Sequence, residues 1–318
     1  MLLNVLLFVS GLGVLALGAE WLVRGATSVA IRFGIRPLVV GLTIVALGTS
    51  MPEFLLNAFA LMDGEDALAI GNIIGSNISN IALILGLSAI VLPIAVSRGV
   101  LRREYPVMIA VSFLFWAMAA DGRMSRVDGL VLVAGLILFF FWMIRSARGS
   151  SDTPGVDVPS ADAPARTGPA ARILLLTGGI AALAVGARLM VDAAVSIAHL
   201  LEIQPVVIGL TIVAIGTSLP ELAASMVCAF KKESEMSVGN IVGSNMLNIL
   251  FVVGVVSLVQ PVEVESSSVR IHFPVMLGVS LLLYPLARSG YVLSRAGGVL
   301  LLTAFLAYMG YLIHPYIQ

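Results

Sequence analysis

The sequence predicts an all-α integral membrane protein with ten transmembrane helices, arranged as two inverted-topology repeats of five helices each. Three observations lead to this fold class. The 318 residues are 59% hydrophobic and only 11% charged, whereas soluble domains carry about 25% charged residues. Apolar stretches recur along the chain, and many reach the length of about 20 residues that a spanning helix needs. The second half of the chain also repeats the first.

Composition excludes several other classes of protein. Basic and acidic residues balance at 18 each, which leaves no electrostatic case for a nucleic-acid partner. The single cysteine, Cys228, cannot form an intrachain disulfide, and no Cys/His cluster suggests a zinc site. We therefore expect a protein that is not an enzyme and has no cofactor, and the sequence gives no sign of a protein partner.

Ten stretches of the chain are candidates for membrane spans. The first lacks the basic residues that precede a cleaved signal sequence, so we expect it to be retained. The stretches 67–97 and 236–262 contain no charged residue at all. The predicted spans are residues 2–20, 37–62, 67–92, 104–121, 127–145, 172–191, 205–230, 236–260, 271–288 and 296–314.

Basic residues set the orientation, because Lys and Arg concentrate on the cytoplasmic side of a membrane. With the N-terminus outside, 14 of the 18 basic residues fall in cytoplasmic loops. The other four are Arg123, Arg126, Arg188 and Arg270. We therefore predict a multi-pass protein of the cell (inner or plasma) membrane with both termini extracytoplasmic.

One segment, residues 147–170, does not resemble a membrane span. It is rich in Pro, Ala, Ser, Gly and Asp and poor in large apolar residues. Such a composition cannot bury enough surface to fold, so we predict a flexible cytoplasmic linker. This linker separates a first five-helix repeat, residues 1–146, from a second, residues 171–318.

The duplication is strongest in two 40-residue motifs. Shifted by 168 residues, segment 41–80 aligns with segment 209–248 without a gap, and 19 of the 40 positions are identical. Each copy contains Gly-Thr-Ser-x-Pro-Glu and ends in Gly-Asn-Ile-x-Gly-Ser-Asn-x-x-Asn. Because each half has an odd number of spans, the second half must enter the membrane from the opposite side. The loops agree: residues 63–66 are acidic, whereas the equivalent residues 231–234 begin with two lysines.

The strongest candidates for a functional site are two carboxylates inside the predicted spans, Glu53 and Glu221. An unpaired carboxylate in the bilayer costs several kcal/mol and is functional by default. The alternative is that each glutamate reaches a membrane interface or pairs with a buried Arg, and it is weakened because neither span contains an Arg or Lys. Each Glu follows a proline that has no N–H, so the carbonyls of Gly48 and Gly216 lose their helical partners. We therefore predict that the second and seventh helices are broken at the site.

The neighbouring spans contribute further oxygen atoms. A spacing of four places three polar side chains on one helical face in each half. These sets are Asn72, Ser76 and Asn80, and Asn240, Ser244 and Asn248. The interleaved glycines suggest close helix packing, to which the Asn and Ser side chains could also contribute.

Carboxylate, amide, hydroxyl and carbonyl oxygens favour a hard cation over a soft transition metal. Two carboxylates neutralise either one Ca²⁺ or two Na⁺, which is a physical basis for exchange at a shared site. In an empty site the two carboxylates repel each other, so we expect protons to compete with cations at acidic pH.

The paired GTSMPE and GTSLPE motifs, with GNIIGSNISN and GNIVGSNMLN, resemble the alpha repeats of prokaryotic sodium/calcium exchangers of the calcium/cation antiporter superfamily. The resemblance implies an ion site between the second, third, seventh and eighth helices, and Na⁺/Ca²⁺ exchange by alternating access. It assigns Ca²⁺ to the side chains of Glu53 and Glu221 and the carbonyls of Thr49 and Thr217, flanking Na⁺ to Ser50, Ser76, Ser218, Ser244 and the carbonyls of Ala46 and Ala214, and an amide pair to Asn80 and Asn248.

Two features of the motifs bear on the coupling ion. Proton-coupled members of the superfamily usually have Gly-Asn-x-x-Glu in the first motif, so Gly-Thr-Ser-x-Pro-Glu favours Na⁺. Some relatives have Asp at the position of Asn248, and the asparagine here argues against K⁺ co-transport. A proton-driven antiporter of Ca²⁺ or another divalent cation remains the alternative. A channel and a non-transporting scaffold are disfavoured by the inverted repeat and the duplicated carboxylates.

Overall fold

The computed structural model describes residues 1–62, 64–148, 168–201 and 214–314. The described elements are α1 (Leu2–Phe33), α2 (Pro37–Thr49), α3 (Met51–Met62), α4 (Asp66–Val91), β1 (Ile94–Ala95), α5 (Arg98–Arg102), α6 (Glu104–Met118), β2 (Arg123–Met124), α7 (Arg126–Arg148), α8 (Pro169–Leu200), α9 (Ala214–Thr217), α10 (Leu219–Phe230), α11 (Ser234–Val259), β3 (Val262–Glu263), α12 (Ser268–Arg288), β4 (Val292–Leu293) and α13 (Arg295–Ile313).

The fold is that of an all-α membrane protein. Eight of the described helices are long and apolar enough to cross a bilayer, and the bent pair α2 and α3 makes nine if it counts as one span. The shorter apolar helix α10 follows residues 202–213, which lie outside the described part together with most of the predicted linker. Helices α4 and α11 are mostly buried inside the protein, whereas α1, α7 and α13 turn most of their surface outward.

Helices α1 and α8 extend beyond the predicted spans 2–20 and 172–191. Each has 32 residues and is therefore about 48 Å long, which exceeds the hydrocarbon thickness of about 30 Å. Polar residues within the helices did not end them, because Glu20 and Arg24 form an ion pair one turn apart within α1. The helix ends instead at Gly34, which has the left-handed φ of 62° typical of a helix C-terminus.

Glycine permits unusually close contact between α1 and α8. A Cβ atom at Gly18 would lie 2.6 Å from the backbone nitrogen of Leu183, and one at Gly186 would lie 2.5 Å from that of Leu15. The two glycines occupy equivalent positions in the repeats, 168 residues apart. The pair of long helices is thus joined by backbone contacts that any larger residue would prevent.

Two short antiparallel ladders connect the two halves of the chain. Strand β1 pairs with β4, and β2 pairs with β3. Since β1 and β3 are equivalent in the repeats, and β2 and β4 are equivalent with one inserted residue, each ladder is the counterpart of the other. The start of α4 also lies beside β3, where Asp66 Oδ2 accepts a hydrogen bond from the backbone N–H of Glu263 at 2.9 Å.

Candidate cation site

A single serine lies between two helices in each Gly-Thr-Ser-x-Pro-Glu motif. Helices α2 and α3 meet at an angle of 43° around Ser50, and Ser218 separates α9 from α10 in the same way. The two serines have nearly identical backbone conformations, with φ and ψ of −84° and 3° for Ser50 and −89° and 4° for Ser218. Proline two residues later removes a helical N–H donor in each motif, which favours an interruption at this point.

Glu53 and Glu221 lie directly after these interruptions, in the first turns of α3 and α10. Their exposed fractions are 2% and 0%, and the two carboxyl groups are close enough to interact electrostatically. Ser50 Oγ, from the first repeat, donates a hydrogen bond of 3.1 Å to Glu221 Oε1 of the second. The structure therefore brings the two predicted carboxylates into one buried site at the start of two helices, where the helix dipole favours negative charge.

No fixed cation neutralises these carboxylates within the described residues. The four ion pairs found there lie elsewhere and involve neither Glu53 nor Glu221. Several buried side-chain oxygens of the predicted site residues also have no hydrogen-bond partner in the described part, although buried polar atoms are normally paired. These atoms are Glu53 Oε2, Glu221 Oε2, Ser76 Oγ, Ser218 Oγ, Asn80 Oδ1 and Asn248 Oδ1.

Such a set of oxygens is chemically suited to a hard cation. Carboxylate, amide and hydroxyl oxygens can all donate lone pairs to Ca²⁺ or Na⁺. The Ser244 hydroxyl lies beside the Glu221 carboxylate and adds a further oxygen. The described residues contain no group of three or more His, Cys, Asp or Glu side chains that could hold a metal, so this site has only two charged groups.

The threonine hydroxyls form contacts between the repeats. Thr49 Oγ1 donates a hydrogen bond to Asn240 Oδ1 at 3.2 Å, and Thr217 Oγ1 donates one to Asn72 Oδ1 at 3.4 Å. Asn72 and Asn240 thus accept hydrogen bonds from the helix ends of the opposite repeat. Asn72 and Asn240, the first residues of the two predicted polar sets, therefore act as packing groups between the repeats.

The two alanine carbonyls have different surroundings. Ala46 O accepts the N–H of Ser50 at 3.0 Å, and the Thr49 hydroxyl, whose one hydrogen can be donated either to Asn240 or to this carbonyl, lies 3.3 Å away. In the second repeat, the N–H of Ser218 donates to Ile215 O instead, at 3.1 Å. The Ala46 carbonyl therefore accepts the N–H of the motif serine, whereas the N–H of Ser218 does not use the Ala214 carbonyl.

Sequence reasoning missed two features of the site. Helices α4 and α11 each contain a π-helical turn, Asn80–Leu85 and Asn248–Val253, at equivalent positions. Such turns are rare and often mark functional sites. It also missed Asn77 and Asn245, whose side chains bind those of Asn248 and Asn80. The duplicated Gly-Ser-Asn tripeptide was the available signal for these two residues.

Close glycine contacts hold α11 against α2 beside the site. A Cβ atom at Gly239 would lie 2.6 Å from Leu38 O, and one at Gly243 would lie 2.6 Å from Leu42 O. The equivalent Gly71 and Gly75 contact no described residue in this way. The segment equivalent to the one that contains Leu38 and Leu42 lies within residues 202–213, outside the described part.

Two buried carboxylates without a fixed counter-charge, in a duplicated membrane protein with further unpartnered oxygens, are typical of the class of membrane ion transporters. Residues 3–145 and 172–314 match the family described as sodium/calcium exchanger protein. The chain belongs to this family, and it is therefore a multi-pass transmembrane antiporter.

Individual relatives cover nearly the whole chain. The putative antiporter CaxA of Alkalimonas amylolytica is 37% identical over 97% of this chain and 98% of its own. The sodium/calcium exchanger MaX1 of Methanosarcina acetivorans is 31% identical over 96% of this chain and 97% of its own. The structure is similar to that of the sodium-calcium exchanger NCX_Mj soaked with Na⁺ and Ca²⁺, with a TM-score of 0.82, 34% identity and coverage of 98% of both chains.

Proposed function

We propose that this protein exchanges Na⁺ for Ca²⁺ across the membrane by alternating access at the site between Glu53 and Glu221. The observation that carries the proposal is the pair of buried carboxylates, each with one unpartnered oxygen and no ion-pair partner in the described residues. A mobile cation is the natural counter-charge, because a buried charge without a partner is very costly. The names of MaX1 and NCX_Mj support Na⁺ and Ca²⁺ as the ions.

The proposed ligands follow from the resemblance and from the free oxygens. Glu53 and Glu221 bind Ca²⁺ or Na⁺ directly, and either one Ca²⁺ or two Na⁺ neutralises both. The buried amide oxygens of Asn80 and Asn248, which have no partner in the described residues, are proposed to complete the same site. The remaining ligands are the carbonyls of Thr49 and Thr217 for Ca²⁺, and Ser50, Ser76, Ser218, Ser244 and the carbonyls of Ala46 and Ala214 for Na⁺, with Asn80 and Asn248 beside the carboxylates.

We also propose the full architecture of ten spans in two inverted repeats, residues 1–146 and 171–318. The span that brings the nine to ten is the seventh in chain order, residues 205–230, which includes the shorter helix α10. Helix α11 is the equivalent of α4 in the second repeat, and strand β3, which follows α11, contacts the start of α4. This contact supports opposite directions for the two equivalent helices. In this arrangement both termini are extracytoplasmic and residues 147–170 are a cytoplasmic linker. Each ladder then joins two loops on one side of the membrane, which supports the number of spans between them.

Coupling to Na⁺ is tested with purified protein in liposomes. We expect Ca²⁺ to enter vesicles loaded with Na⁺ and diluted into K⁺ or choline, because outward Na⁺ movement drives the exchange. A pH gradient imposed without Na⁺ is expected to drive no uptake. Uptake that follows the pH gradient instead would replace this proposal with a proton-driven antiporter, and passive Ca²⁺ flux without either gradient would indicate a channel.

Transport is also expected to depend on pH. Protons and cations compete for the same carboxylate oxygens, so the initial rate of Na⁺-driven Ca²⁺ uptake should be lower at pH 5.5 than at pH 8 at a subsaturating Ca²⁺ concentration. Raising the Ca²⁺ concentration at pH 5.5 should restore part of the rate. Equal rates at the two pH values would contradict competition at this site.

A further inference from the structure

Two equivalent chains of hydrogen bonds lie behind the amide side chains of the site. In one, Asn80 Nδ2 donates to Asn245 Oδ1 at 2.9 Å, and Asn245 Nδ2 lies 3.9 Å from Met108 Sδ. The other runs from Asn248 to Asn77 and Met276. Asn248 Nδ2 donates to Asn77 Oδ1 at 3.3 Å, and Asn77 Nδ2 donates to Met276 Sδ at 3.7 Å.

The chains are related by the duplication, and each crosses between the repeats. Asn77 and Asn245, Asn80 and Asn248, and Met108 and Met276 are equivalent pairs, each 168 residues apart. All six side chains are buried, with at most 1% of their surface exposed. Bulk water therefore has little access to these amides.

The chemistry of the last member fixes the direction of each chain. A thioether sulfur accepts hydrogen bonds but has no hydrogen to donate. It therefore selects the NH₂ group of Asn77 or Asn245, and Asn245 Nδ2 also lies 3.3 Å from the carbonyl of Asn77. We call Asn77 and Asn245 the inner amides, and their partners Asn248 and Asn80 the outer amides. The oxygen of each inner amide then faces its outer amide, which must present its own NH₂ group.

We propose that Asn77 and Asn245 are positioning residues that orient the amide oxygens of Asn248 and Asn80 toward the transported cation. The outer NH₂ groups are used by the inner amides, which leaves Asn80 Oδ1 and Asn248 Oδ1 without a partner in the described residues. An asparagine with the opposite orientation would present NH₂ to a cation and repel it. The inner amides and the two methionines thus fix the orientation of the outer amides, so that the oxygen and not the NH₂ group is available as a ligand.

This inference rests on the proposed Ca²⁺ site, and a double-mutant cycle tests it. Asn245→Leu keeps the branched shape of the side chain but removes the acceptor, so the amide of Asn80 loses its fixed orientation. Groups that orient a ligand typically change metal affinity 10–100-fold. We expect the Ca²⁺ concentration for half-maximal Na⁺-driven uptake to rise about 10-fold, with little change in the maximal rate.

The cycle separates positioning from a general structural role. In an Asn80→Ala background the ligand is already absent, so adding Asn245→Leu should have little further effect on half-saturation. A milder variant, Met108→Leu, should raise half-saturation about twofold, since it removes only the weak sulfur acceptor. Met143→Leu, in the buried core and outside both chains, is the matched control and should leave it unchanged.

Each outcome has a distinct meaning. Unchanged Ca²⁺ affinity in Asn245→Leu, or equal losses in the wild-type and Asn80→Ala backgrounds, would overturn the positioning role while the proposed function stands. If Asn245→Leu does not fold, an unchanged half-saturation in Met108→Leu overturns the role. If the wild-type protein itself neither takes up nor binds Ca²⁺, the proposed function fails first and this inference fails with it.

Discussion

Replacing Glu221 or Glu53 with glutamine is expected to reduce the rate of Na⁺-driven Ca²⁺ uptake at least about 100-fold. Glutamine has the same shape as glutamate but no charge, so one remaining carboxylate cannot neutralise a divalent cation. Losing one partner of a buried, hydrogen-bonded charge pair costs about 2–5 kcal/mol, and about 2.7 kcal/mol corresponds to 100-fold in affinity. The measurement is the initial rate of ⁴⁵Ca²⁺ uptake into Na⁺-loaded proteoliposomes.

The chain offers a matched control for this substitution. Glu104 is also buried, with 5% of its surface exposed, and one of its carboxylate oxygens lacks a partner in the described residues. It lies near Arg36 and Arg103 at the start of α6, away from the site. We expect Glu104→Gln to retain uptake within about twofold, because it removes charge elsewhere. Wild-type uptake in Glu221→Gln would remove the carboxylate pair from the mechanism.

Replacing Gly243 with alanine is expected to reduce uptake at least about 10-fold and to destabilise the protein by about 1–3 kcal/mol. The added Cβ would lie 2.6 Å from Leu42 O and 2.9 Å from the Cβ of Ala46. Neither atom is the end of a flexible side chain, so α2 must move away from α11. Because α2 ends at Thr49 and leads into Ser50, this shift separates the proposed ligands of the two repeats.

Gly278→Ala provides the comparison, since a Cβ atom at Gly278 would have no neighbour within 4 Å. It should retain both uptake and thermal stability. Loss of uptake in Gly243→Ala should be accompanied by a lower unfolding temperature in detergent, because the same clash causes both. Wild-type uptake and stability in Gly243→Ala would mean that the contact between α2 and α11 is not needed for the site.

The duplication and the paired carboxylates could be recognised in the sequence because their signals are local. Glu53 and Glu221 stand out as charges within apolar stretches, and the proline before each indicates an interruption. The 168-residue register then identifies the equivalent residues of the two repeats. Composition alone was also sufficient to indicate a membrane protein.

Other features depend on contacts between distant segments and could not be predicted in this way. The interhelical roles of Asn77 and Asn245 require knowing which faces of α4 and α11 meet. The apolar stretch 2–20 does not reveal the full length of α1, because the helix continues to Phe33 through the ion pair of Glu20 with Arg24. The π-helical turns have no simple sequence signal, since Asn80–Leu85 is also compatible with an ordinary helix.

Binding of Ca²⁺ to the purified protein in detergent tests the central claim most directly. We expect one Ca²⁺ per chain, measured by calorimetry or ⁴⁵Ca²⁺ retention, to be displaced by Na⁺ but not by choline and to be lost in Glu221→Gln. This result would mean that both ions use one site between the two carboxylates. Ca²⁺ binding that is insensitive to Na⁺, or that persists in Glu221→Gln, would contradict the shared site.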